Sequence, residues 1–258
     1  MKPKLSVITV SYNSETTLER TIKSVLRQKY DNIEYIIIDG GSTDGTVEII
    51  RKYEAYITYW ITEPDNGISD AFNKGIKVAT GDLIWIINSD DGILNGAVDY
   101  LVDHYDPSID VYRGRTRIVT IDGKEFEYEP SMKINCLGTI NINHPSTVIS
   151  KRAYEKFGLY DIKCKNYMDL DILLRMYRGR AEFRYIDYTL AFFSWGGATA
   201  SEFTKKRKDE LNYVLKKNGF SDRDVWVAQS IRKVKRGIKN VLGFNNVSKL
   251  WAYMMKNK

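Results

Sequence analysis

The sequence predicts an α/β domain on a mostly parallel sheet with helices on both faces, then a mixed part and a helical, basic C-terminal extension. Three observations predict it. Short apolar runs rich in β-branched residues alternate four times with segments of helical periodicity. The connections are short, as strand–helix–strand crossovers require. Polar clusters stand directly behind the apolar runs, where open α/β sheets bind ligands.

Leu5–Ser11 is the first buried strand. Asn13 or Ser14 can cap the next helix, whose apolar positions are Leu18, Ile22, Val25 and Leu26. Ile33–Ile38 is the second strand. It ends at Asp39-Gly40-Gly41-Ser42, and Thr43 or Asp44 opens helix two. Ile57–Ile61 is the third strand, and Asn66-Gly67 turns into a helix carrying Ile68, Ala71, Phe72, Ile76 and Ala79. Leu83–Ile87 is the fourth, ending at Asn88-Ser89-Asp90-Asp91. Alternation stops near residue 105. Val111–Val119 and Glu125–Tyr128, joined through Asp122-Gly123, read as a hairpin. Helices at 151–157 and 168–178 follow, then strand-like Phe183–Tyr188 and Leu190–Ser194, and a helical region from about Glu202.

The chain has 258 residues, 43% hydrophobic and 28% charged, which suffices for a core without disulfide or metal. Cys136 and Cys164 match no zinc or CxxC spacing, which favours a reducing compartment. No apolar run reaches the length of a membrane span, and Leu5–Val10 is too short for a signal-peptide core. Residues 204–258 hold 15 Lys+Arg against 4 Asp+Glu, net +11; residues 1–203 hold 24 against 29, net −5. An acidic body with a basic end points to two jobs. The body does not look like a nucleic-acid binder.

The turn after strand one, Ser11-Tyr12-Asn13-Ser14, lacks the glycines of a dinucleotide fingerprint, and no P-loop string occurs. Two histidines, His104 and His144, are too few for a multi-histidine zinc site. Ser89-Asp90-Asp91 carries the main chemical signal. Adjacent carboxylates behind a buried strand are costly unless a cation or hydrogen bonds offset them, and hard oxygens suit Mg²⁺ or Mn²⁺. A solvated turn is the alternative. Asp39 could accept from a nucleobase or ribose, or hold the Gly40-Gly41 turn.

Leu5–Asn13 (LSVITVSYN), Ile36–Thr46 (IIIDGGSTDGT), Glu63–Ile76 (EPDNGISDAFNKGI), Ala79–Asp82 (ATGD) and Ile87–Asp91 (INSDD) occur in this order and spacing. Together they resemble the nucleotide-sugar half of an inverting family 2 glycosyltransferase with the GT-A fold. The resemblance continues more loosely through His144-Pro145-Ser146-Thr147, Asp169-Leu170-Asp171 and Trp195-Gly196-Gly197, over about residues 4–200. It implies a nucleotide-sugar half over about 1–105, an acceptor half over about 106–203, and leaves 204–258 as an uncovered extension. It implies that Val10, Ser11 and Tyr12 line the nucleobase pocket, with Tyr12 stacking on the base. Asp39 would hold the base or ribose. Asp70, Asn73 and Lys74 would lie along the donor, Ser89 would bind the donor, Asp90 would touch the ribose or sugar, and Asp91 would bind Mn²⁺ or Mg²⁺ in a DXD-like way. Asp169 would be the catalytic base, with Asp171 as rival. His144 could contact phosphate or acceptor, and Trp195, Gly196 and Gly197 would sit on a stretch that closes over the donor. The pattern differs at Gly40, where many relatives have a second acid, at Asn95-Gly96, where many have proline, and at Met168-Asp169, where an acidic pair is common.

The implied activity is inverting, hexosyltransferase-like transfer of one sugar from a nucleotide-sugar, UDP first, to a glycan acceptor in cell-surface polysaccharide synthesis. In residues 204–258, Ile231, Val234, Ile238, Val241 and Leu242 share one helical face and Arg232, Lys235, Arg236 and Lys239 largely the other, the pattern of an interfacial helix or of a helix packed on the body with solvated lysines. This suggests a lipid-linked acceptor and a peripheral position on the inner face of the cell membrane. A sugar-1-phosphate nucleotidyltransferase would instead want a glycine-rich basic loop after strand one and would release pyrophosphate. A non-catalytic membrane or nucleic-acid adaptor would bind no nucleoside diphosphate.

Overall fold

The computed structural model describes residues 2–130, 143–195, 204–227 and 229–230. The interfacial pattern read at 231–242 of the basic extension, together with Cys136, Gly196 and Gly197, lies outside them.

The elements run β1 (Leu5–Ser11), α1 (Leu18–Leu26), β2 (Ile33–Asp39), α2 (Thr46–Lys52), β3 (Tyr59–Thr62), α3 (Ile68–Val78), β4 (Leu83–Asn88), β5 (Gly92–Ile93), α4 (Ala97–Asp103), β6 (Val111–Thr120), β7 (Glu125–Tyr128), β8 (Thr147–Ser150), α5 (Lys151–Phe157), α6 (Met168–Arg178), β9 (Phe183–Trp195) and α7 (Lys205–Lys217). They form a GT-A-type sheet in the order β3-β2-β1-β4-β8-β6-β9-β5, with β7 on β6. The β3-β2-β1-β4 part is parallel, as the alternation requires. The mixed part begins at β8, antiparallel to β4.

Successive side chains of the parallel strands enter opposite cores, as the two-residue period demands. Ile8, Val10, Ile36, Ile38, Ile84 and Ile86 share one core with α3, α5, α6 and α7. Val7, Tyr35, Ile37, Trp85 and Ile87 share the other with α1 and α4.

Four local outcomes differ from the sequence reading. Asn13 and Ser14 do not cap α1: Asn13 takes a left-handed backbone (φ 47°), and its Oδ1 accepts from Thr43 N at 2.9 Å. Residues Glu54–Tyr56 close a 3₁₀ turn, so β3 starts at Tyr59 instead of Ile57. The two segments read in 183–194 are one strand, kept continuous along β6 by a register shift around Arg115. Strand β8, only four residues long, hides in a polar stretch.

The first turns of the basic extension belong to the body. Leu211, Val214 and Leu215 of α7 are fully buried in the core of α6. No helix among the described residues is long and apolar enough to cross a membrane. Leu211→Ala should therefore lower stability by about 2–5 kcal/mol in a urea titration, the range for a buried leucine. A loss within about 0.5 kcal/mol, typical of surface substitutions, would show α7 unpacked.

Candidate functional site

Strand register builds the first half of the site. Ser11 pairs with Asp39, and Val10 with Asn88, so the ends of β1, β2 and β4 lie side by side. Val10 and Ser11 are buried, whereas Tyr12 just beyond is 64% exposed. Asp39 is fully buried and saturated. Its Oδ1 accepts from Ser11 Oγ (2.9 Å) and Ser42 Oγ (2.5 Å), its Oδ2 from Gly41 N (3.1 Å), Ser42 N (2.9 Å) and Thr62 Oγ1 (2.7 Å). A carboxylate has about four lone-pair sites, so none is left for a ligand. Asp39 holds the loop that shapes the pocket.

The β3–α3 loop supplies a carboxylate the sequence reading did not single out. Asp65 lies over Gly40: a Cβ on Gly40 would meet Asp65 Oδ2 at 2.5 Å and the Tyr12 ring at 3.4 Å. Gly67 N donates to Asp65 Oδ1 at 2.7 Å, and Oδ2 has no partner among the described residues. The absence of a side chain at Gly40 was the available signal. Asp70 accepts from Asn66 N (3.0 Å), and Lys74 Nζ bonds Pro64 O (3.1 Å) and Glu63 (2.7 Å), so both brace this loop. Asn73 is placed differently from the expectation. It is buried and exchanges two 2.9 Å hydrogen bonds with the Tyr160 backbone, so it ties α3 to the segment that leads into α6.

The acid pair follows β4. Asp91 is fully buried; its Oδ1 accepts from Ser194 N (3.0 Å) and its Oδ2 from Asn88 Nδ2 (3.3 Å). Burial and the neighbouring Asp90 charge push the Asp91 carboxyl well above the usual aspartate range, and burial raises Asp90. Arg20 does not pair with either carboxylate; its Nη2 donates to Asp90 O and Ser194 Oγ, both at 2.7 Å. Ser89 Oγ meets Ser14 Oγ at 2.7 Å. Asn88 Oδ1 is buried without a hydrogen-bond partner. Under-neutralised carboxylates beside an orphaned amide oxygen form a hard-oxygen set that fits a divalent cation. Among the described residues no group of three or more His, Cys, Asp and Glu clusters as a fuller cage. Strand β9 reaches this turn because Gly92 leaves room: a Cβ there would lie 2.3 Å from the Phe192 ring. Trp195 follows Ser194, whose N–H donates to Asp91 Oδ1 and whose Oγ donates to the Asp90 backbone carbonyl, and its ring is edge-on to Phe193 at 6.3 Å.

The second half centres on Asp169, in the first turn of α6. Trp85 pairs with Val148 across β4 and β8, and Trp85 Nε1 donates to Pro145 O at 2.7 Å, so His144 lies at the carboxyl end of β4. His144 stacks on Phe72 (4.9 Å, 11°) and its Nε2 lies 3.8 Å from Asp169 Oδ1. Asp169 Oδ1 is buried without a hydrogen-bond partner, while its side chain is 30% exposed. Burial raises its pKa and His144 opposes the rise. His144, Thr147, Tyr160, Asp169 and Leu173 line a small cavity. Asp171 points elsewhere. Fully buried, it is held by Arg175 Nε, Lys217 Nζ and Asn218 Nδ2, each at 3.0 Å, and has no lone pair turned to a substrate.

A family model, Glycosyl transferase family 2, matches residues 6–178. The chain belongs to glycosyl transferase family 2. This family-2 chain is 35% identical over 179 residues to an uncharacterized glycosyltransferase of Mycobacterium tuberculosis, covering 67% of this chain and 68% of that one. It is 29% identical over 172 residues to the poly-beta-1,6-N-acetyl-D-glucosamine synthase of Staphylococcus aureus, covering 61% of this chain and 42% of the synthase. Among solved structures it is similar to S. aureus TarS 1–349 in complex with UDP-GlcNAc (TM-score 0.63, 18% identity, 82% of this chain and 65% of that one). It is also similar to the mannosyltransferase PcManGT from Pyrobaculum calidifontis in complex with GDP-Man and Mn²⁺ (TM-score 0.64, 13% identity, 99% of this chain and 80% of that one). At these identities the structures speak for the fold. The family-2 chain thus spans less than two thirds of the synthase and of the TarS chain.

The acid pair's environment generates a stability prediction. The folded state holds the Asp91 carboxyl above its ordinary value of 3.8, so its ionisation costs stability as pH rises from there through the folded value. Without metal, Asp91→Asn should melt higher than the parent at neutral pH, since Asn88 can turn its free Oδ1 to the new amide. The gap should close below pH 3.8, where the parent carboxyl is protonated in both states. A lower melting temperature for Asp91→Asn at neutral pH would contradict this account.

Proposed function

We propose that the chain is an inverting glycosyltransferase that moves one sugar from a nucleotide-sugar, UDP-linked first, to a glycan acceptor. The observation that carries this is the presence, at the carboxyl end of one sheet, of two unneutralised carboxylate sets: the Asp90–Asp91 pair and the partnerless oxygen of Asp169. Similar folds hold UDP-GlcNAc and GDP-Man.

In this reading the Tyr12 ring stacks on the nucleobase, and Asp65 Oδ2 accepts a base N–H while Asp39 keeps the loop in shape. Ser89 and Asp90 flank the ribose and sugar. Asp91, with Asp90 and Asn88 Oδ1 nearby, would hold Mn²⁺ or Mg²⁺, which when bound supplies Lewis-acid stabilisation of the leaving diphosphate. Asp169 accepts the acceptor hydroxyl proton as that oxygen attacks the anomeric carbon and the bond to the diphosphate breaks, which inverts the centre. A raised pKa makes a stronger base of it, provided it is ionised. His144 lies close enough to favour the ionised form.

Asp169→Asn should leave Mn²⁺-dependent UDP binding intact and lower kcat by about 10²–10⁴-fold, the usual worth of a general base. Asp171→Asn should act mainly on stability. Loss of transfer in the second variant and not the first would reverse the assignment.

The basic end supports a membrane-facing role and a lipid-linked acceptor. A basic residue near an anionic leaflet is worth about 1 kcal/mol, so several suffice for reversible docking. Because α7 is core, the informative shortened chain ends at residue 230. It should keep UDP-sugar hydrolysis but lose sedimentation with phosphatidylserine-containing vesicles, and the full chain's binding should weaken with salt. Equal vesicle binding by both chains removes the membrane from the proposal.

A further inference from the structure

Helix α7 lies beyond the part matched by the family, which ends at residue 178. Its polar contacts converge on the segment that carries Asp169. Glu210 Oε1 accepts three consecutive backbone N–H groups, from Lys165 (2.8 Å), Asn166 (2.6 Å) and Tyr167 (2.8 Å). Glu210 Oε2 accepts from Asn166 Nδ2 at 2.7 Å, and Arg207 Nε donates to Asn166 Oδ1 at 2.7 Å. Tyr167 is the residue before the first turn of α6 and makes no side-chain cap of its own. Three N–H groups turned onto one oxygen form a nest that a carboxylate fixes in place. Asp169 stands two residues beyond it.

Other contacts bind the segment further. Lys217 and Asn218 hold Asp171, in the same first turn, and Lys217 Nζ and Tyr213 OH both reach Asp161 Oδ2, at 2.6 and 2.8 Å. Leu211, Val214 and Leu215 fill the core beneath. The loop before Asp169 and the turn that carries it are thus held at two points by one helix and its C-cap. Asp169 Oδ1 itself has no hydrogen-bond partner to orient it, and His144 Nε2 stands 3.8 Å away.

We propose that α7 is a positioning element of the catalytic site and that Glu210 sets where Asp169 stands, an inference that rests on Asp169 being the base. Glu210 touches no substrate. It fixes the three amides that lead into α6, and the helix start fixes the Asp169 carboxylate. Donor contacts, drawn from residues 10–91, are untouched by it.

The test uses the full chain, Mn²⁺ and whichever of UDP-glucose, UDP-GlcNAc and GDP-mannose it hydrolyses fastest. Glu210→Ala should lower kcat by about tenfold to a hundredfold, as an ångström-scale misplacement does, with the donor KM within about twofold. Glu210→Gln keeps an accepting oxygen and should retain most of kcat. In an Asp169→Asn background, Glu210→Ala should cause no further loss, since the group it positions is gone; residues that act as one unit are not additive. Multiplicative losses in the double variant, or a lower melting temperature with kcat unchanged, would overturn the proposal and leave Glu210 as a fastening for α7. Should Glu210→Ala fail to fold, the double cycle is run with Asn166→Ala, which removes the side chain that Glu210 and Arg207 hold, and multiplicative losses there overturn it equally. If Asp169→Asn alone leaves kcat intact, the base assignment has failed, and if no nucleotide-sugar is hydrolysed, the proposed activity has failed; both results differ from failure of the Glu210 role.

Discussion

Everything at the site depends on the in-register parallel pairing of β2, β1 and β4. Leu5 opposite Ile33 and Leu83 sends Ile8 and Ile36 into one core and Val7 and Ile37 into the other. The same register ends the three strands together at Ser11, Asp39 and Asn88. A slip of one residue would turn both apolar faces over and part Ser11 from Asp39. Because both faces are packed, each side chain so moved would meet a clash or a void in the opposite core, at about 1–3 kcal/mol for each overpacked site, and the register is strongly fixed. Core and site are fixed by one set of backbone hydrogen bonds.

Within that frame, charge neutralisation separates scaffold from chemistry. Burial alone would raise Glu34, yet Lys4, Ser6 and Thr80 satisfy its carboxylate and hold it at about 2. Asp110 meets Arg152 at 2.6 Å, and Asp171 has three donors. Asp91 is fully buried and Asp169 has one carboxylate oxygen buried; neither has a Lys or Arg partner among the described residues, and both are raised by burial. A buried carboxylate left short of partners costs the fold stability, and it persists where a ligand or a reacting proton is to be met.

Much of this was legible in the sequence, for a physical reason. The parallel strands and their helices repeat two clear periodicities, and β1, α6 and the β6–β7 hairpin lie where those periodicities put them. The acid pair announced itself because two adjacent aspartates behind an apolar run are costly. What could not be read depends on contacts distant in sequence. Asn73 is polar and in helical register with Asp70, yet it serves the Tyr160 backbone 87 residues away. Asp65 becomes conspicuous only once Gly40 is folded beneath it. Asp171 and Asp169 look alike as letters, and Arg175 together with Lys217 and Asn218, the last two from a basic segment read as separate, tells them apart. The net charge of that segment masked its few buried apolar residues.

If the acid pair and the nucleotide pocket form one binding unit, linkage requires Mn²⁺ and UDP to strengthen each other's binding by the same factor. Electron paramagnetic resonance of free Mn²⁺, titrated with the protein in the absence and presence of saturating UDP, measures this directly. The account predicts one tight Mn²⁺ per chain that appears with UDP and a matching gain in UDP affinity with Mn²⁺. Independent binding of the two, or UDP binding indifferent to the cation, would contradict it.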